Sequence, residues 1–314
     1  MKANYSYIYL AFFLLLNIFN FVDRNLLIAF APQIKSEFNL TNVQWGLLTG
    51  VYFLFFYSVF GILMGVLGDK FSRMKIAAAG VFLWSLMTAF TGVAKNFSHL
   101  IVARALIGVG ESALTPNAIS MLSDLFKQNQ RGTASAIYYL GIPLGVGFGM
   151  LIAAFFGPVF GWRSVFITLG LIGMGLGIVT YFLLEPKRGQ LDVSFYEDNN
   201  SASIREIVSM TKHALYNSKC LTFAIIGSIF LHIPLGAGNF EVLWAVNERG
   251  FTASAYNFLF GIFFILGGTV GAVLGGVLSD RLSHYFKGGV MTFLVISYLI
   301  LTPLTVSYRF ISPE

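Results

Sequence analysis

Long uninterrupted apolar stretches decide what this chain can fold into. Nine of them, at roughly 7–31, 43–67, 76–94, 99–122, 132–156, 162–184, 220–245, 253–278 and 289–307, are about as long as the ~20 residues a helix needs to cross a bilayer. Only 11% of the residues are charged and 56% are hydrophobic, whereas a water-soluble domain carries about a quarter charged residues. In lipid each backbone polar group must be satisfied within its own segment, so the spans are read as helices and the fold class as all-α and polytopic. The first stretch is too long, and too interrupted by Asn17, Asn20, Asp23 and Arg24, for a cleavable signal peptide, and is expected to stay in the mature protein.

The basic residues orient these spans. With the N-terminus in the cytoplasm, thirteen Lys and Arg residues fall on the inner side and five, Lys35, Lys95, Arg163, Arg249 and Arg309, on the outer side. The positive-inside rule therefore predicts a multi-pass protein of the bacterial inner membrane with a cytoplasmic N-terminus. The net charge of +6 then needs no nucleic-acid partner. The single cysteine, Cys220, excludes an internal disulfide and any CxxC site. The histidines at 99, 213, 232 and 284 form no HExxH pair, and no GxxxxGK[ST] loop occurs, so no metal, cofactor, enzymatic activity or ATP-driven pumping is expected. Transport driven by an ion gradient, or passive passage, remains.

An internal repeat supports a carrier. Gly65 to Arg73 (GVLGDKFSR) returns as Gly276 to His284 (GVLSDRLSH), which pairs Asp69 with Asp280, and the same offset pairs Leu40-Thr41 with Phe251-Thr252. Such duplicated halves are a property of transporters. The reading divides the chain into a six-helix bundle (1–185), a cytoplasmic linker (186–218) and a partial second bundle of helices seven to nine (219–314). In the linker Ile204, Ile207, Val208 and Leu215 share a helical face beside Arg205, Glu206 and Lys212, which reads as an interfacial amphipathic helix, with a mobile linker as the alternative. A complete second half implies three further helices, so the chain is expected to be a fragment or truncated product of a twelve-helix protein, with a nine-span architecture as the alternative. The Gly267, Gly268, Gly271, Gly275 and Gly276 series would then leave a helix-seating face uncovered.

Gly65 to Lys75 resembles the signature between the second and third helices of the major facilitator superfamily, with Lys70 for its first Arg and Ser72 for its second Gly. Within that superfamily the chain is similar to the spinster-like group of lysolipid and sphingolipid transporters. The resemblance rests on Asn20-Phe21-Val22-Asp23-Arg24, Trp84-Ser85-Leu86, Arg104 to Ser112 (RALIGVGES), Ser123 to Phe126 (SDLF), Ile142 to Gly149 (IPLGVGFG) and Glu185 to Gly189 (EPKRG). It implies a major facilitator fold and alternating-access transport. It further implies that Asp23 and Glu111 couple protons, that Arg24 and Arg104 bind a substrate head group, and that Asp69 and Arg73 belong to a cytoplasmic gate, with Asp280 its counterpart in the repeat.

Asp23, Arg24, Arg104 and Glu111 also stand out without the resemblance, because an ionisable group inside a span is costly unless paired or hydrated. Arg104 and Glu111, seven residues apart, share a helix face about 10 Å apart along the axis. By topology Asp23, Arg24 and Arg104 lie in the outer half and Glu111 near the midplane. The set suits an anionic group held by an Arg, with a carboxylate that takes a proton and weakens the competing ion pair; a buried ion-pair cluster that only fixes the helices is the alternative. His232, a lone histidine within a span, and the tyrosines Tyr52, Tyr57, Tyr138 and Tyr139 are weaker candidates for the substrate site. Gly141, Gly145 and Gly149 read first as a close-packing stripe. The expected activity is proton-coupled symport of an organic anion or anionic amphiphile such as a lysolipid, by a monomer in the bilayer. An energy-independent facilitator and a non-transporting membrane protein are the alternatives.

Overall fold

The structure is a computed structural model and describes residues 3–191, 209–210, 213, 216–286, 288–307 and 310. The proposed amphipathic helix of the linker falls mostly outside the described residues. Among those described the chain is helical, in the order α1 Ala3–Ala29, α2 Ala31–Glu37, α3 Asn42–Gly46, α4 Tyr52–Lys70, α5 Arg73–Gly92, α6 Phe97–Glu111, α7 Leu114–Leu125, α8 Gln128–Tyr139, α9 Gly141–Phe182, α10 Lys219–Ala237, α11 Glu241–Arg249, α12 Ala253–Leu282 and α13 Gly289–Ser307. A π turn at Leu47–Val51 joins α3 to α4.

Six helical stretches among the described residues, rather than nine, are long and apolar enough to cross a membrane. The difference arises in two places. Residues Gln128–Phe182 count as one stretch of 55, about 80 Å at 1.5 Å per residue and far beyond one bilayer thickness. Two further apolar helices, Leu221–Phe230 and Gly289–Leu304, are shorter.

The 55-residue stretch doubles back on itself. In its first part Gly141 packs on Asn17, Gly149 on Val22 and Gly157 on Phe30, so it runs parallel to α1. In its second part Phe166 meets Phe30 and Gly173 approaches Phe19, so it runs antiparallel. The reversal falls at Gly161, whose φ of 74° lies in the left-handed region that side chains with a Cβ avoid. The stripe of Gly141, Gly145 and Gly149 is what lets α1 and α9 touch: a Cβ on Gly145 would lie 2.5 Å from the Ile18 carbonyl oxygen.

The repeat is visible in the caps. Thr41 Oγ1 accepts from Gln44 N (3.2 Å) at the start of α3, and Thr252 Oγ1 accepts from Ala255 N (3.2 Å) at the start of α12. Asp69 and Asp280 lie in the last turns of α4 and α12. Both helices start at the end of the molecule where Trp45 Nε1 donates to the Asn239 carbonyl (2.9 Å) and Asn257 Nδ2 to the Ala29 carbonyl (3.0 Å). The repeated helices therefore point the same way.

Contacts between α1–α9 and α10–α13 concentrate at that end. Besides those two bonds, Ser254 Oγ donates to the Ala154 carbonyl (2.6 Å), Gly147 faces the Gly261 backbone, and Gly268 seats Pro143. Further along α12 the contacts cease: a Cβ on Gly271, Gly275 or Gly276 would find nothing within 4 Å. Gly271 and Gly275 border a groove of about 570 Å³ between α12 and α13, lined also by Leu278, Phe293 and Tyr298. One end of the molecule is thus closed, and among the described residues the end carrying Lys70, Arg73 and Arg188 is not bridged in this way.

Candidate functional site

The fourth span, read from sequence as continuous, breaks at its acidic residue. α6 ends at Glu111, a turn follows at Ser112–Ala113, and α7 begins at Leu114. Two glycines position this break. A Cβ on Gly108 would lie 2.7 Å from the Phe53 carbonyl oxygen of α4, and one on Gly110 would lie 2.8 Å from the Gly80 carbonyl oxygen of α5. Bare backbone on both faces wedges α6 between its neighbours and carries Arg104 and Glu111 into the bundle.

There the charges from α1 and α6 meet. Arg24 donates to Glu111 Oε2 from Nε (3.1 Å) and from a terminal nitrogen (2.6 Å), and the Glu111 side chain is fully buried while that of Arg24 is 23% exposed. The Arg24 guanidinium lies over the rings of Phe21, Phe53 and Tyr57 at 4.9, 4.6 and 5.0 Å, contacts that stabilise a cation where water is scarce. Arg104 shares the Phe53 ring at 4.8 Å and donates to the Arg24 carbonyl at 3.3 Å. It makes no ion pair among the described residues, and its Nε has no hydrogen-bond partner. Asp23, also buried, has the Thr88 hydroxyl 2.5 Å from Oδ2, while Oδ1 is without a partner. The long Arg24 side chain spans the depth difference expected between it and Glu111. The structure thus gathers Asp23, Arg24, Arg104, Glu111 and Tyr57.

The other candidates lie apart. Tyr138 is fully buried and its hydroxyl is 3.1 Å from Thr115 Oγ1, so it packs behind the cluster. His232 is exposed on α10, and its Nδ1 sits 2.7 Å from the Ser228 carbonyl of its own helix. Thr88 and Phe53 carried no signal in the sequence, since a threonine and a phenylalanine in an apolar span look like packing.

A second polar centre ties α4, α5 and α7 to the segment after α9 at the unbridged end. Buried Arg73 donates to Asp124 Oδ2 (2.5 Å), Ser120 Oγ (2.9 Å), Glu185 Oε1 (2.9 Å) and the Pro186 carbonyl (3.1 Å). Arg188 donates to the Gly68, Asp69 and Phe71 carbonyls at the C-terminal end of α4 (2.6, 2.5 and 2.7 Å), where the helix dipole favours a cation. Gly189 N donates to Asp124 Oδ1 (2.9 Å). Burial pushes the Glu185 carboxyl up, but hydrogen bonds from Ser72 and Arg73 outweigh it and hold the group below its usual range. The described partners of Arg73 are Ser120 and Asp124 of α7 and Glu185 and Pro186 just after α9. Asp124 and Glu185 drew no role from the sequence because they sit at helix ends, where charges are ordinary.

Comparison with known proteins places this architecture. The Major Facilitator Superfamily model matches residues 13–312. The chain belongs to that superfamily. Its relatives include Protein spinster of Drosophila melanogaster, 27% identical over 92% of this chain and 48% of that protein. The sphingosine-1-phosphate transporter SPNS2 of Danio rerio is 27% identical over 83% of this chain and 54% of that protein. The chain thus spans about half the length of these relatives. A crystal structure of a bacterial homologue of the human lysosomal transporter Spinster, in an inward-facing and unoccupied conformation, aligns with a TM-score of 0.79 at 25% identity, covering 99% of this chain and 70% of that one. The chain is therefore an all-helical membrane protein of the superfamily's fold, similar to spinster proteins, and that family points to transport rather than catalysis.

Proposed function

We propose that the protein is a secondary transporter that moves an anionic amphiphile, such as a lysolipid or sphingoid phosphate, in symport with protons by alternating access. The observation that carries this reading is the buried set of two arginines and two carboxylates at the α6 break. Glu111 engages Arg24, whereas Arg104 lies on an aromatic ring with no ion pair among the described residues. When Asp23 is protonated the four groups sum to one positive charge, which an anionic head group neutralises at Arg104. When Asp23 is ionised the set is already neutral, and the anion is released. The phenyl and phenol rings of Phe21, Phe53 and Tyr57 beside the arginines offer an apolar surface to the remainder of an amphiphile.

In this reading the basic, unbridged end faces the cytoplasm, the structure is inward-facing, and the N-terminus is cytoplasmic. The two arms of Gln128–Phe182 and the two shorter apolar helices count as separate spans, which makes nine of a twelve-helix plan. Residues 1–185 form one bundle and 219–314 part of the other, joined by a cytoplasmic linker. Arg73, Asp69 and Asp280 belong to the cytoplasmic gate, and the carrier works as a monomer.

The test is uptake by the purified protein in proteoliposomes, with lysophospholipid, sphingoid phosphate and sugar acid compared with and without a pH gradient. Accumulation of an amphiphile that vanishes when the gradient is collapsed supports the reading. Flux that ignores the gradient makes the protein a facilitator, and binding of none of the three makes it a non-transporting membrane protein.

A further inference from the structure

The Thr88 hydroxyl carries one hydrogen yet has two acceptors in reach. Its Oγ1 lies 2.5 Å from Asp23 Oδ2 and 3.0 Å from the Trp84 carbonyl oxygen, with Asp23, Thr88 and Trp84 all buried. A threonine hydroxyl donates once and accepts through its lone pairs. If Asp23 is ionised, both neighbours are pure acceptors and one of the two close contacts holds no hydrogen. If Asp23 is protonated, its Oδ2–H donates to Thr88 Oγ1, Thr88 donates on to the Trp84 carbonyl, and both contacts are satisfied. The orphaned Oδ1 points the same way, because a buried oxygen without a partner costs more on a carboxylate than on a neutral acid.

Among the described residues nothing else supplies the hydrogen. From α6, Arg104 and Glu111 face Asp23, but Glu111 binds Arg24, and the Arg104 hydrogen bond goes to the Arg24 carbonyl. Neighbouring Arg24 on α1 turns its guanidinium to Glu111. The Arg and Lys residues of α5, Arg73 and Lys75, lie more than ten residues away at its start. The one arginine of α9, Arg163, is held by Glu37 at the bend, and Tyr181 lies at the helix end.

We propose that Thr88 is a positioning residue that senses the protonation state of Asp23. Its hydroxyl donates to Trp84 while Asp23 holds a proton and swings to Asp23 Oδ2 when the proton leaves, so that α5 registers the change through the loss of one bond to its own backbone. This rests on the reading of Asp23 as a proton site.

Infrared difference spectra of the full chain in nanodiscs, recorded across a pH titration, test it. The expected result is a carboxylic-acid carbonyl band that is absent in Asp23→Asn and moves to higher wavenumber in Thr88→Val, where the acid loses its acceptor. The midpoint of that band's pH titration should also move by at least about half a unit in Thr88→Val, about threefold in proton affinity, and Thr88→Ser should restore both. A band that vanishes in Asp23→Asn but is unmoved in Thr88→Val overturns the role of Thr88 and leaves Asp23 a proton site. Absence of any Asp23-dependent band at every pH overturns both.

Discussion

Replacing Glu111 with glutamine separates the two tasks assigned to the buried cluster. In the native protein Glu111 Oε2 accepts two hydrogen bonds from Arg24, at 3.1 and 2.6 Å. Breaking a fully buried pair by removing one partner costs about 3–5 kcal/mol. Two features reduce that cost: glutamine keeps a carbonyl oxygen in the same place, and Arg24 still lies over three aromatic rings with its side chain 23% exposed. A bond to a charged group is worth about 1.5–3 kcal/mol and a neutral one about 1 kcal/mol, so the expected net loss is about 2 kcal/mol. Denaturant titration in mixed micelles should show a folded but weakened protein. Function should change more sharply. The variant gains a permanent positive charge beside Arg104, so anionic substrate still binds and exchanges across the proteoliposome membrane, while accumulation driven by a pH gradient falls at least tenfold. Accumulation equal to wild type would refute the argument, because without Glu111 the set stays positive even when Asp23 is ionised and the anion should not be released.

Three further outcomes follow from the geometry. Gly145→Val should prevent stable packing of α1 on α9, since even a Cβ would lie 2.5 Å from the Ile18 carbonyl oxygen and the Phe21 Cβ; the cost exceeds the ~1–3 kcal/mol of ordinary overpacking, and size-exclusion chromatography should show aggregate in place of a monodisperse peak. Arg104→Lys keeps the charge but loses the flat face on Phe53 and the bidentate fork; about 1.4 kcal/mol, or tenfold in Kd measured by calorimetry, is expected. Glu185→Gln should destabilise the protein by about 1 kcal/mol at pH 7. The folded Glu185 pKa lies below the unfolded value, so its contribution is fully present above the unfolded value of about 4.3 and is lost as pH falls through the folded one. Thermal melts of wild type and variant should therefore converge below about pH 4, and a constant gap would sink the assignment.

The helical class, the close packing of Gly141, Gly145 and Gly149, and the meeting of Asp23, Arg24, Arg104 and Glu111 could be read in the residues. Charge inside an apolar span has few places to go except toward other charge. What could not be read was where the helices break. The turn after Glu111 and the π turn at Leu47–Val51 lie inside continuous apolar runs, and hydropathy does not register a change in the backbone hydrogen-bond pattern. Gly161, where α9 reverses, lies between two apolar runs of the sequence, yet only that residue inside α9 leaves helical geometry. Phe53 and Thr88 were invisible because their importance comes from what α1 and α6 bring to them. His232 illustrates the converse: a titratable residue in a span attracts attention, although its hydrogen bond stays within its own helix.

The three hydrogen bonds across the closed end have a property in common. Trp45, Ser254 and Asn257 are all neutral donors, and the acceptors are the backbone carbonyls of Asn239, Ala154 and Ala29. None of these six groups titrates near physiological pH, and the nearby Glu37–Arg163 pair joins α2 to α9. These three bonds therefore do not respond to acid. At about 1 kcal/mol each the three bonds bias the resting molecule by about 3 kcal/mol, which holds the opposite conformation below about one per cent until compensating contacts form elsewhere. If the protein works as proposed, a change in pH alters the charge of the buried cluster without loosening these three bonds on its far side.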